Sequence, residues 1–518
     1  MDRNAFEGPT LAEYQRCALL RWRDRECLVG DGLRLTYAEF QAQVNRMVRL
    51  LERIGLRPGD GLAALSGNRP ELLFVTYAAQ ALGLRYTALH PLGSEDDHAF
   101  ILEDAEIHTL VLDVARFGDR GRALAARLPG LGVAGLGASD FAIDLLAELP
   151  GLDDAPTPIT ARPHDISVLS YTGGTTGRPK GVVHRHRSVV ALVQQELAGW
   201  EWPEEIRFLI ATPVSHAAGA MVTPTFARGG AVHVLPAFEP EAFLATIERE
   251  RITATFIVPT MLYVLLDHPA LDRFDLSSLR FVVYGGAPMS PVRMRQAIER
   301  FGPIFCQLYG QSEAANTITY LSRAEHLDPT LEGAAGYPVP GNQVAVLRPD
   351  GSEADVDEVG EICVRGPIVM DGYWRQPELT EAAFAGGWLH TGDLARRDAS
   401  GCLFIVDRLK DMVVSGGFNV YPREIEDVLA RHPAVASAAV FGAPDPKWGE
   451  AVRAVVVRRP GQAVEERELI ELVRRHKGAV QAPKSVEFRD ALPLTAVGKI
   501  DRKALRAPYW KGQSRQVG

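Results

Sequence analysis

From about residue 165 the chain alternates short apolar runs with amphipathic stretches, and this alternation restricts its possible folds more than any other feature. ISVLSY is followed by SVVALVQQELAGW; RFLIATP leads to AVHVLP and then PEAFLATIERE; ATFIVP leads to TMLYVLLDH, RFVVYGG to SPVRMRQAIERF, and IFCQLYG closes the series. Short apolar runs bounded by turn residues read as buried strands, and apolar residues three and four apart read as helix faces. Strand and helix in turn require α/β layers, with helices packed on a mainly parallel sheet. The earlier segment has the same texture, with LTYAEFQAQVNRMVRLLERIG as helix and GLAALSG as strand. From Val339 to Asp407 the pattern changes to strands joined by Asp-Gly turns, which read as hairpins. After Asp407 a fresh α+β unit begins, with EIEDVLARH and EERELIELVRRH as helices and AVASAAVFG and AVRAVVVRR as strands.

At 518 residues the chain exceeds one hydrophobic core, so two domains are expected, 1–407 and 408–518. Its net charge of −9 is spread without long runs, which argues against nucleic acid as a partner. The opening MDRNAFEGPT lacks a basic stretch followed by an apolar one, and no apolar span reaches membrane length. A cytoplasmic protein with no integral membrane segment is therefore expected, with a homodimer left open. Cys17, Cys27, Cys306, Cys363 and Cys402 lack CxxC spacing and read as small buried hydrophobes. Only eight of the 56 basic residues are lysine, so each lysine carries weight in the argument.

The segment YTGGTTGRPKG (171–181) joins glycines, threonine hydroxyls and one ammonium, a composition suited to phosphate oxygens. Pro179 before Lys180 and Gly181 after it depart from the P-loop, where Gly-Lys-Ser/Thr opens a helix. A loop closing over phosphates fits better. Five further islands follow: YGGAP (284–288), LYGQSE (308–313), TGD (391–393), DRLKDMVVSGGFNVYPREIE (407–426) and GKIDRK (498–503). Together and in this order, from Leu35 to Leu505, they resemble the adenylate-forming superfamily of acyl-CoA synthetases, luciferases and peptide-synthetase adenylation domains.

The resemblance implies an α/β fold. It has a large N-terminal domain of layered α/β subdomains plus a distorted β-barrel-like part, and a small mobile α+β C-terminal domain carrying a catalytic lysine. It also implies ATP, Mg²⁺ and coenzyme A, and activation of a small-molecule carboxylic acid as its adenylate before thioester formation. Thr172, Gly174, Thr175, Thr176 and Lys180 would hold the departing phosphates. Gly285, Gly286, Ala287 and Pro288 would flank adenine, with Tyr309 stacked on it and Gly310, Gln311 and Ser312 beside it. Glu313 would ligate Mg²⁺, Asp393 would accept from the ribose hydroxyls, and Arg408 would add a second nucleotide contact. Lys499 would bridge carboxylate and α-phosphate oxygens, where a cation relieves the repulsion of two anions. Lys410 would be the hinge whose swing withdraws Lys499 and brings in Ser415, Gly416 and Gly417 as a passage for phosphopantetheine. His216 matches a gate beside the acyl site.

Two positions depart from the family's pattern. Ser312 stands where threonine is common, and Gln481 where a tyrosine-lysine pattern often supplies a cation for CoA; Lys484, Arg474 or Arg475 would have to replace it. The windows expected around the acid, PVSHAAGAMVTP, VVYGGAP and YGQSEAANTI, hold Ala217, Ala218, Gly219, Ala220, Ala314 and Ala315, and no Arg, Lys or Asp. Small apolar linings favour a bulky or long hydrophobic monocarboxylic acid over acetate, malonate or an amino acid. An acyl-AMP ligase that loads a carrier protein, or an enzyme specialised in one half-reaction, is the alternative.

Overall fold

The computed structural model describes residues 8–172, 178–415, 417–495 and 499–511. The apolar runs fall where β-branched and aromatic residues favour strands, and they assemble into two large sheets. One has nine strands, in the order Tyr337–Pro338, Ala314–Leu321, Phe305–Gln311, Phe281–Tyr284, Ala254–Ile257, Arg207–Ile210, Ala231–Val234, Glu26–Gly30, Leu33–Thr36. Its six central strands are parallel and its edges antiparallel. The other has eight strands and is also mainly parallel, with the antiparallel hairpin Ile166–Thr172 and Lys180–Arg185 near one edge.

Helix Glu71–Leu82 (ELLFVTYAAQAL) is apolar on nearly every face and is buried along most of its length, as a helix enclosed between layers must be. Helix Tyr37–Arg53 packs on it. It starts at a capping box in which Thr36 and Glu39 satisfy each other's backbone donors. Their junction is an aromatic cluster: Phe40 lies edge-on to Phe74, Tyr77 and Phe226, with centroids 5.1–5.6 Å apart.

The hairpin region after Val339 is an open four-stranded antiparallel sheet, Gln343–Leu347, Gly360–Arg365, Leu389–Arg397 and Leu403–Arg408. The barrel-like part expected from the sequence is thus a sheet, and no closed barrel forms among the described residues. The C-terminal unit is a separate five-stranded sheet covered by helices Pro422–Leu429, Glu466–Lys477 and Arg502–Trp510, with its own apolar core around Ile425, Leu429, Val452 and Leu469. Among the described residues no helix is long and apolar enough to cross a membrane.

Candidate active site

The carboxyl ends of parallel strands are where α/β sheets place ligands, because loops and exposed backbone groups collect there. Here strands Phe281–Tyr284 and Phe305–Gln311 end in the segments 285–288 and 312–313. Gly286 lies at φ +78°, a left-handed value that glycine adopts without strain. Gly310 is fixed by crowding instead, since a Cβ there would stand 2.2 Å from the Asn316 carbonyl oxygen.

Thr172 and Lys180 face each other across the hairpin. The loop between them carries Gly174, Thr175 and Thr176, which lie outside the described residues, as does Gly416. The Lys180 ammonium sits over the Tyr373 ring, 5.0 Å from its centroid, and the Tyr373 hydroxyl donates to Glu313 Oε1 at 3.0 Å. Glu313 is further anchored by its carbonyl, which accepts from the Met370 amide at 2.8 Å. Among the described residues no hydrogen bond to its second carboxylate oxygen is formed, and an oxygen donor of this kind suits Mg²⁺. His184 donates from Nε2 to the Ser312 carbonyl at 2.6 Å; burial lowers the pKa of this imidazole and keeps it neutral. The Ser312 backbone is therefore held by a buried neighbour on the hairpin, whatever its hydroxyl does.

The four-stranded sheet supplies the opposite wall. Asp393 and Arg408 are register partners on adjacent strands, and their side chains meet at 3.3 Å. The Tyr309 hydroxyl donates to Asp393 Oδ2 at 2.7 Å, tying the 305–311 strand to this sheet. Burial, reinforced by the Asp393 charge, holds the Tyr309 phenol well above its ordinary pKa, so it donates at any working pH. A carboxylate has about four acceptor positions, so Asp393 keeps capacity for further donors. The turn before it is braced from Glu361, whose Oε1 accepts from the Gly392 amide at 2.8 Å and whose Oε2 lies 2.7 Å from His390 Nδ1.

Lys499 comes from the C-terminal unit. Its backbone is pinned on both sides by Thr495, with the Lys499 amide donating to Thr495 Oγ1 at 3.2 Å and its carbonyl accepting from the Thr495 amide at 2.7 Å. Burial, together with the charges of Arg408 and Lys410, brings its ammonium down to about 8, against the opposing pull of Asp393. Surrounding protein atoms and the charges of His90 and Lys499 hold the imidazole of the solvent-exposed His216 below its ordinary pKa. Lysine, carboxylate, guanidinium and neutral imidazole thus converge from both parts of the chain. If the protonated Lys499 is the active form, kcat/KM for adenylation falls as pH rises through about 8, since that parameter reports the free enzyme. Lys499→Arg, which cannot deprotonate, would flatten that limb while lowering the rate; a wild-type profile level to pH 10, an alkaline limit of about two units past that pKa, would contradict the assignment.

Lys410 lies just beyond strand Leu403–Arg408, in a turn held by the amides of Asp411 and Met412 donating to the Arg408 carbonyl. Burial, with the charge of Arg408, lowers its pKa as well, against the pull of the carboxylates of Asp411, Asp393 and Glu313. Ser415 and Gly417 are not brought to this cluster. Ser415 is buried in the C-terminal sheet as the register partner of Gly449, and Phe418 beside Gly417 is 61% exposed. Gln481 carries a buried Oε1 without a partner, while Lys484 is tied to the Ala479 carbonyl at 3.2 Å and Arg474 to Glu471 at 2.6 Å.

Three residues beside the site had escaped the sequence reading: His90, His184 and Tyr373. His90 lies edge-on to His216 with centroids 4.7 Å apart, and its Nδ1 accepts from the Leu92 amide at 3.1 Å, which leaves the proton on a buried, unpartnered Nε2. No motif marks these three, but each is a histidine or tyrosine ending or following a strand. The small-residue windows divide as well. Ala220 and Ala315 are half-buried and pack with Tyr309 and Leu192, whereas Ala218 and Ala314 are core residues. Gly219 is not small to leave room for a ligand: a Cβ there would stand 1.9 Å from the Val214 carbonyl oxygen.

Residues 16–374 match the AMP-binding enzyme family and residues 424–499 the AMP-binding enzyme C-terminal domain. Over 518 aligned residues the chain is 47% identical to a medium/long-chain-fatty-acid–CoA ligase, FadD8, of Mycobacterium tuberculosis, covering 97% of this chain and 90% of that protein. It is 39% identical to a feruloyl-CoA synthase of an Amycolatopsis species, covering 92% of this chain and 94% of the relative. Among solved structures, the amide bond synthetase McbA of Marinactinospora thermotolerans superposes with a TM-score of 0.89 at 38% identity, covering 96% of this chain and all of that one. The chain belongs to the AMP-binding enzymes, the adenylate-forming superfamily that includes the acyl-CoA synthetases.

Proposed function

We propose that this protein is an ATP-dependent acyl-CoA ligase that activates a bulky or long hydrophobic carboxylic acid as its adenylate and passes the acyl group to coenzyme A. The reading is supported by the charge coupling of Lys499, from the C-terminal unit, with Asp393, Arg408 and His216. A carboxylate is a poor electrophile because its leaving group would be oxide; transfer to AMP replaces that with a good one. The acid's oxygen attacks the α-phosphorus, the bond to the pyrophosphate bridging oxygen breaks, and pyrophosphate leaves. Lys499 stands between the two approaching anions, and its ammonium is worth most where water is excluded. Thr172 and Lys180 face the departing phosphates, Tyr309 and the 285–288 turn take adenine, and Asp393 with Arg408 takes the ribose. Glu313 would hold Mg²⁺, which would supply charge neutralisation on the phosphate oxygens. Residues 1–407 and 408–518 act as the two moving parts, with Lys410 at the hinge. The swing would place Ser415 and Gly417 where the thiol enters.

The relatives' named acids, fatty and hydroxycinnamic in type, agree with a hydrophobic acyl site lined by Ala220, Ala315 and Leu192. A panel of acetate, malonate, an amino acid, a medium-chain fatty acid, an aryl-propenoic acid and a ring-fused acid tests this through AMP release. Preference for any of the first three would overturn it. Supplying CoA, a carrier-bound pantetheine and a simple amine in parallel identifies the acceptor, with CoA expected to be used best.

Glu313→Gln keeps the side chain's size and its bond to Tyr373 but removes the anionic ligand. The Mg²⁺ concentration for half-maximal adenylation should rise by about tenfold or more, in line with the cost of losing one charged ligand. An unchanged Mg²⁺ dependence would reassign Glu313 to a structural role.

A further inference from the structure

The edge-on pair His90 and His216 contains a donor to which no role has been given. His90 follows strand Arg85–Ala88 of the eight-stranded sheet, and His216 follows strand Arg207–Ile210 of the nine-stranded one, so the pair joins the carboxyl ends of the two sheets. Strand Arg85–Ala88 runs parallel to Ile166–Thr172 with Tyr86 opposite Val168. Extended by four residues, this register brings His90 level with Thr172, where the loop toward Lys180 begins. His216 in turn feels the charges of both His90 and Lys499. His90 thus belongs to the same neighbourhood as the phosphate hairpin and the lysine of the C-terminal unit.

The turn that carries His90 is braced by a chain of charge-assisted and buried hydrogen bonds. Arg120 donates from Nη1 to Nδ1 of His98 at 3.0 Å and to the Gly93 carbonyl at 3.2 Å, and His98 donates from Nε2 to the His90 carbonyl at 2.9 Å. The same carbonyl accepts from the Gly93 amide at 2.8 Å. His98 is buried, and a Cβ on Gly93 would stand 2.5 Å from its Nε2, so the turn closes directly onto this imidazole. These contacts fix the His90 backbone, and the Leu92 amide fixes the ring. A backbone N–H can only donate, so Nδ1 is the acceptor and Nε2 carries the proton. Burial and the neighbouring His98 lower the His90 pKa, which keeps the ring neutral at physiological pH. Its Nε2–H is buried and makes no hydrogen bond, although a buried donor left unsatisfied costs about 1–3 kcal/mol. A donor held this firmly without a protein acceptor is suited to one that arrives with the substrates.

We propose that His90 is a further substrate-contacting residue, whose Nε2–H donates to an anionic oxygen at the point where the acid's carboxylate and the triphosphate of ATP come together. The inference rests on the ligase reading above and adds to Lys499 a neutral donor supplied by the N-terminal part of the chain. The oxygen belongs to the carboxylate or to a phosphate, and both offer the same acceptor chemistry. A neutral imidazole suits the place because it adds a hydrogen bond without setting a second positive charge against the Lys499 ammonium.

The test is a pair of substitutions read on both half-reactions, with an acid from the panel above that the wild type adenylates. His90→Phe keeps an aromatic ring and removes the donor; His90→Gln keeps a side-chain N–H and gives up the ring. His90→Phe should lower kcat/KM for acid-dependent pyrophosphate release by about tenfold or more, the scale of one hydrogen bond to a charged group. His90→Gln should recover most of that loss. Thioester formation from supplied acyl-AMP and CoA should stay near the wild-type rate in both variants, because neither free carboxylate nor triphosphate is then present. A rise in KM for the acid assigns the oxygen to the carboxylate, and a rise in KM for ATP assigns it to a phosphate. Equal loss in both half-reactions would mark a merely structural role and overturn the proposal, as would an unchanged kcat/KM in His90→Phe or a glutamine variant no better than the phenylalanine one. If the wild type releases no acid-dependent pyrophosphate with any acid of the panel, the ligase reading itself fails and takes this inference with it.

Discussion

Lys499→Ala is expected to lower acyl-adenylate formation about a thousandfold while largely retaining thioester formation from supplied acyl-AMP. The magnitude is that of removing one preorganised charge stabiliser from a site where water is scarce. The asymmetry follows from the proposed role: an ammonium set where carboxylate and α-phosphate meet has no such meeting to assist once the adenylate exists. The lowered pKa of about 8 records how strongly the folded chain resists this charge before its anionic partners arrive. Rapid-quench measurement of each half-reaction separates the two effects. Equal loss in both would contradict the assignment of Lys499 to one pose.

Lys410→Pro is expected to have the second-largest effect, a loss that falls on the other half-reaction. Proline fixes φ near −65° and restricts the residue before it, so a junction proposed to turn between two poses would be locked. Leu409 is already tied to the body, its amide donating to the Gly392 carbonyl at 2.9 Å. Just before it, the buried Asp407 accepts from the amides of Arg408 at 2.7 Å and Arg423 at 3.0 Å, so the strand end and the start of the following helix are held together on either side of the turn that carries Lys410. Adenylation should persist and CoA transfer should fall by about a hundredfold, the scale on which misplacing a reacting group by an ångström acts. Unchanged overall turnover would place the hinge elsewhere.

The alternation after residue 165 located strands and helices well because apolar periodicity is a local property. The helix read in SPVRMRQAIERF spans Pro291–Phe301 with proline in its first turn, and the strand read in IFCQLYG spans Phe305–Gln311. The open form of the hairpin region was not legible, since closure depends on which strands pair at long range. Candidate site motifs stand out in the sequence where several residues proposed for one role are adjacent, as in LYGQSE. They were silent where function is assembled across the chain: Tyr373 meets Glu313 from 60 residues away, and His184 meets Ser312 from 128. Gly219 shows the reverse error. Composition suggested free volume, but the glycine answers the close approach of the Val214 carbonyl.

The central claim is tested most directly by one stoichiometry. Wild-type protein given ATP, Mg²⁺, CoA and a hydrophobic acid would be assayed for AMP, pyrophosphate and acyl-CoA over time. The account expects the three products in equal amounts, each dependent on the acid, with acyl-AMP detectable when CoA is withheld. Pyrophosphate released without the acid, or acid-dependent AMP with no thioester, would contradict it.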